Sequence, residues 1–133
     1  MSYQIAYRQL PTYLHAVVTG KNSRSNVVHY LDDLQKECRA RGCSRVLIEE
    51  RLEGPRLGPR DVFEIVVDVS RRSQGVFQKI AYVDVVPGGI MPFAEAAAVR
   101  EGIPIKLFAT VKEAEAWLSA GASPGEPGPG GGG

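Results

Sequence analysis

Apolar and polar residues alternate at the start of the chain, with Tyr3, Ile5 and Tyr7 on one side of an extended segment and Gln4, Ala6 and Arg8 on the other. A period of two is the pattern of a half-buried strand. After Leu10-Pro11-Thr12 a second run, Tyr13 to Thr19, is rich in aromatic and β-branched residues, so two antiparallel strands joined by a short turn are predicted. From Ser25 the period lengthens. Val27, Leu31, Leu34 and Cys38 recur every three or four positions with charged residues between them, the spacing of an amphipathic helix. Ser25 is the expected cap of its first amides, and Gly42 the left-handed residue that ends it.

Val46-Leu47-Ile48 is a short apolar run flanked by charges, which predicts an interior strand covered on both faces. Glu49 and Glu50 are expected at its carboxyl end. Beyond a loop with Gly54, Pro55, Gly58 and Pro59, the segment Arg60 to Ser73 is read as a helix with Pro59 at its start, although Ile65-Val66-Val67 within it has strand propensity. Ile80 to Val85 reads as a buried strand, Pro92 to Arg100 as an Ala-rich helix closed by Gly102, and Ile105 to Phe108 as a last strand. Thr110 and Glu113 form a capping box for a final helix carrying Val111, Ala114, Trp117 and Leu118. The order β-β-α-β-α-β-α-β-α predicts an α/β domain. Its five-stranded sheet is mixed, mostly parallel, with the first hairpin at the edge and about four helices packed on it.

Composition narrows the class of function. The 133 residues, 44% apolar and 23% charged, suit one globular domain, assigned here to residues 1–118. Residues 119–133, crowded with Gly and Pro, are expected to be a flexible tail outside it. A net charge of +1 supplies no field to recruit nucleic acid or an anionic membrane. Arg51, Arg56 and Arg60 cluster, but Glu49, Glu50, Glu53 and Asp61 interleave with them. Without a long apolar run or a signal peptide the chain is expected to be cytoplasmic, with no stable membrane insertion. Cys38 and Cys43, either side of Gly42, are read as reduced thiols. With His15 and His29 they lack zinc-site spacing, so no metal and no cofactor is expected.

The closing stretch Gly102-Ile103-Pro104-Ile105-Lys106-Leu107-Phe108-Ala109-Thr110-Val111-Lys112-Glu113-Ala114-Glu115-Ala116-Trp117-Leu118, taken with this order of elements, resembles the STAS superfamily and more narrowly its SpoIIAA-like branch. The resemblance spans roughly residues 3 to 118. It implies the α/β fold just described and a regulatory, protein-binding role. The best-known members are anti-sigma-factor antagonists, switched by phosphorylation of a Ser or Thr at the start of the helix after the central strand. Here that turn runs from Glu49 to Pro59, and no Ser or Thr lies between Ser44 and Ser70, so the phosphoswitch cannot operate there.

Three functions follow in order of expectation. The first is a non-enzymatic regulatory or protein-interaction module whose surface is the loop around Glu49, Glu50, Glu53, Arg56 and Arg60. The second is a carrier or sensor of a small apolar or amphipathic ligand, held beneath the turn Pro87 to Phe93, with Asp84, Gly88, Gly89, Met91 and Phe93 around the pocket. The third is an enzyme of unrecognised type, since no nucleophile motif, P-loop or dinucleotide fingerprint occurs. Glu49, Glu50 and Asp84 are read as solvated strand-end carboxylates, and the histidines as packing residues. A protein partner of unstated identity is expected, no nucleic acid, and a monomer or weak homodimer in which Tyr3, Tyr7 and Tyr13 would suit an edge contact.

Overall fold

The opening alternation becomes a hairpin. Strands β1 (Tyr3–Gln9) and β2 (Leu14–Lys21) pair antiparallel, with Tyr7 opposite Ala16 and Arg8 opposite His15. This is a computed structural model, and it describes residues 3–54, 57–72, 75–84 and 91–120. The remaining elements are α1 (Arg24–Arg41), β3 (Arg45–Glu53), α2 (Pro59–Arg72), β4 (Lys79–Asp84), α3 (Met91–Arg100), β5 (Ile105–Phe108) and α4 (Val111–Ser119). The five strands lie in sheet order β1-β2-β3-β4-β5, and every pair after the hairpin is parallel. The fold class is therefore the expected α/β one, with a mixed, mostly parallel sheet and four helices.

Successive right-handed crossovers that each advance one strand in the same direction leave their helices on one face. Buried residues obey this rule. Leu14, Ala16 and Val18 of β2 join Val46, Ile48, Ile80 and Tyr82 in a core beneath α1, α2 and α3. The alternate residues Leu47, Ala81 and Val83 face the other way and pack on Ala114 and Leu118 of α4. A period of two on the strands thus sorts one apolar run onto two covers.

Local chemistry sets the helix ends. The first amides of α1 are capped by Ser23, whose Oγ accepts from the Asn26 N–H at 3.1 Å, and not by Ser25, which already lies inside the helix. The stop is as expected: Gly42 has φ of +65°. In α2 the β-branched Ile65-Val66-Val67 run is overruled by amphipathic burial, with Ile65 buried and Val66 and Val69 partly buried against the same core. Thr110 caps α4 by accepting from the Glu113 N–H at 3.2 Å. The last carbonyls of α4 are met by cations, Arg45 Nη1 on Leu118 O at 2.5 Å and Lys79 Nζ on Trp117 O at 2.9 Å. Cations at that end also oppose the helix dipole.

Two expectations are corrected. β3 does not stop at Ile48 but runs to Glu53, because β2 continues beside it and pairs Val17 with Glu49, Val18 with Glu50 and so on to Lys21 with Glu53. Glu49 and Glu50 are mid-strand residues. Of the tyrosines expected to suit an edge contact, Tyr13 is buried and donates to Glu115 Oε2 at 2.5 Å, while half-buried Tyr3 donates to Asp33 of α1 and the Arg41 guanidinium lies over the half-buried Tyr7 ring at 5.6 Å. Burial and the Asp33 bond push Tyr3 up to about 12. Val85 and the tail beyond Ala120 lie outside the described residues. No described helix is long and apolar enough to cross a membrane.

Candidate functional site

Adjacent residues of a strand point to opposite faces, and β3 uses that geometry to part Glu49 from Glu50. Neither is a solvated carboxylate, as expected from a strand end; both are buried, at 5% and 6% exposure. Each therefore needs its own polar partners, because a buried charge without them is strongly destabilising.

On the three-helix face, Glu50 accepts a hydrogen bond from the Tyr30 hydroxyl of α1. Both side chains line a cavity of about 130 Å³ that opens between the helices and the sheet. Its floor is Ile48, Ile80, Tyr82, Ile105 and Leu107. Val27 and Leu31 come from α1, Ile65, Val66 and Val69 from α2, and Ala98 from α3. The polar lining is small: Asn22, Tyr30, Glu50, Tyr82 and Glu95, with no Lys, Arg or His among the described lining residues. Glu95 Oε2 accepts from the Leu107 N–H at 2.6 Å, tying α3 to the edge strand β5.

On the opposite face, Glu49 sits between two cationic or donor groups. Its Oε1 lies 3.0 Å from His15 Nε2 of β2, and its Oε2 accepts from Arg51 Nε at 2.7 Å. Burial alone would raise the carboxyl, but the hydrogen bonds from Arg51 and His15 outweigh it and hold Glu49 below the usual carboxylate range. Both oxygens of Glu49 are thereby engaged in holding neighbours. The arrangement orders β2 against β3.

The residues expected to form one interaction surface do not come together. Glu49 and Glu50 are buried on opposite faces, Glu53 is exposed at the end of β3, Arg60 is exposed on α2 beside Glu64, and Arg56 lies outside the described residues. Of the residues expected around a ligand pocket, Asp84 ends β4, Met91 and Phe93 stand in the first turn of α3, and Gly88 and Gly89 lie outside the described residues. The cavity between helices and sheet has polar lining residues that sequence reasoning did not assign to a pocket, Tyr30, Glu50 and Glu95. Tyr30 was legible: it lies three residues after Val27 and four before Leu34, on the same stripe of α1. Glu95 is an acidic residue within an Ala-rich helix.

No family model matches the chain, and no curated protein matches it.

Proposed function

We propose that the protein is a carrier or sensor that binds a small apolar amine in the cavity between the three helices and the sheet. The observation that carries this reading is the lining, apolar except for Asn22, Tyr30, Glu50, Tyr82 and Glu95, two of which are carboxylates. An ammonium group beside Glu50 would form a charge-assisted hydrogen bond in apolar surroundings, whereas a carboxylate ligand would face like charge. The volume sets the scale. A cavity of roughly 150 Å³ accepts a benzene ring, so about 130 Å³ suits a single ring or a short branched alkyl chain. The order of strands and helices supports reading the chain as a STAS-type, SpoIIAA-like domain. The burial of Glu49 and Glu50 on opposite faces favours ligand capture over partner recruitment by that segment.

Benzylamine, benzyl alcohol and benzoate titrated into the isotope-labelled protein, followed by amide chemical shifts, test this directly. Benzylamine should perturb α1, β3 and β4 around Tyr30, Glu50 and Ile80, and benzoate should not. Glu50→Gln should weaken benzylamine by roughly tenfold, the loss of one hydrogen bond to a charged group, and leave benzyl alcohol nearly unchanged. Equal binding of benzoate and benzylamine, or no perturbation by any of the three, overturns the reading.

A further inference from the structure

We propose that Cys38 and Cys43 form a reversible disulfide across the end of α1 when the protein meets hydrogen peroxide, with Cys43 the attacking sulfur and Cys38 the resolving one. The geometry begins with Gly42, whose φ of +65° turns the chain back on the helix. The Gly42 N–H then donates to Arg39 O at 3.2 Å and the Cys43 N–H to Cys38 O at 2.9 Å. This pair of bonds defines the helix-ending motif in which the side chains six positions apart, counted inclusively, meet over the last turn. Helices that end this way frequently place two apolar side chains there. Here both are thiols: half-buried Cys43 packs against the core cluster that holds Cys38, and its Sγ donates to Arg45 O at 3.2 Å.

Their surroundings differ in the way a two-step oxidation needs. Cys38 is fully buried in the core beneath the helices, and Cys43 is half-buried at the start of the following loop. The hydrogen bond from Cys38 pulls the Cys43 thiol down against its own burial, and the same bond together with burial pushes Cys38 up. Cys43 is therefore the sulfur that ionises first and the one that solvent reaches. A thiolate, not a thiol, is the nucleophile toward peroxide.

The chemistry balances without any further group. The Cys43 thiolate attacks one peroxide oxygen, the O–O bond breaks, and hydroxide leaves and takes a proton to become water; Cys43 is then a sulfenic acid. The Cys38 sulfur attacks the Cys43 sulfur, the S–O bond breaks, and the departing hydroxide takes the Cys38 proton as a second water. Two thiols have lost two electrons and two protons to one peroxide. A dithiol such as dithiothreitol returns both by thiol–disulfide exchange.

Exposure of the full chain to hydrogen peroxide, followed by intact-mass measurement and tryptic mapping, reads the outcome. Trypsin cuts at Arg39 and Arg41, so Cys38 and Cys43 fall on separate fragments that stay joined only through their sulfurs. The expected result is loss of two hydrogens, a joined pair of fragments, and full reversal by dithiothreitol. Cys38→Ser should stop at the sulfenic acid and label with dimedone at Cys43, while Cys43→Ser should label at Cys38 at least roughly tenfold more slowly. Cys38→Ala replaces Cys38→Ser if circular dichroism shows that the buried hydroxyl unfolds the domain. Oxidation of either thiol to sulfinic acid without linkage, a disulfide between two molecules, unchanged mass, or equal labelling of the two variants overturns the proposal.

Discussion

Glu49 and Glu50 share a peptide bond, yet their carboxylates sit on opposite faces of the sheet, one held by His15 and Arg51 and the other by Tyr30. The strand between them acts as a wall. What is done to one carboxylate should barely reach the other, so each supports its own measurement.

Glu49 links stability to pH. Its folded pKa lies below its ordinary value of 4.5, so its contribution is fully present above that pH and is lost as the pH falls through the folded value. Urea unfolding of the wild type and Glu49→Gln between pH 7 and pH 3 should show the variant weaker at neutral pH by about 1–3 kcal/mol. The gap should close on acidification. Two curves that stay parallel across the range would remove Glu49 as the source.

Tyr30→Phe keeps the ring in the core and deletes the hydroxyl that Glu50 accepts from. With Glu50 6% exposed, the loss should lower stability by about 1–3 kcal/mol, read as a shift in the urea midpoint at constant slope. A variant as stable as the wild type would mean that the bond contributes nothing net.

Gly42→Ala isolates a backbone effect. A methyl group at this position would meet no atom within 4 Å, so the penalty is that of holding a non-glycine residue at φ of +65°. About 1–2 kcal/mol is expected from the steric cost of the left-handed region. A neutral result would show that the turn after α1 relaxes to another conformation.

Arg45→Met removes the cation that meets the end of α4 and donates to Gln78 Oε1 at 2.8 Å from the same guanidinium. Stability should fall by about 1.5–3 kcal/mol, the range for hydrogen bonds to charged groups. Amide exchange resolves the location: protection should drop in α4 before it drops in β2 and β3. Uniform loss over the whole sheet would argue that α4 opens only with the global core.

The sequence made the order of elements legible because each period is long enough to read. β1 alternates from Tyr3 to Arg8 and the apolar stripe of α1 runs from Val27 to Cys38, whereas the end of β3 does not announce itself. Glu49, Glu50 and Arg51 look like a polar loop when read along the chain, and only the parallel pairing with Val17, Val18 and Thr19 makes them a strand. Nonlocal register carried that information. The cap of α1 was misplaced by two residues because Ser23 and Ser25 are both good caps in isolation. The polar lining of the cavity is not legible in the sequence, since Tyr30, Glu50 and Glu95 come from α1, β3 and α3 and line one space only after the crossovers have stacked their helices on one face.

Strands numbered in sequence are also numbered in space, from β1 at one edge to β5 at the other. Each strand finds its partner among segments already made, and none must wait for a distant part of the chain to arrive. Such a sheet can be laid down strand by strand as the polypeptide emerges from synthesis, with small loop-closure cost at each step. The last helix, α4, then covers the face left bare by the other three. The order of translation and the order of the strands across the sheet run in the same direction.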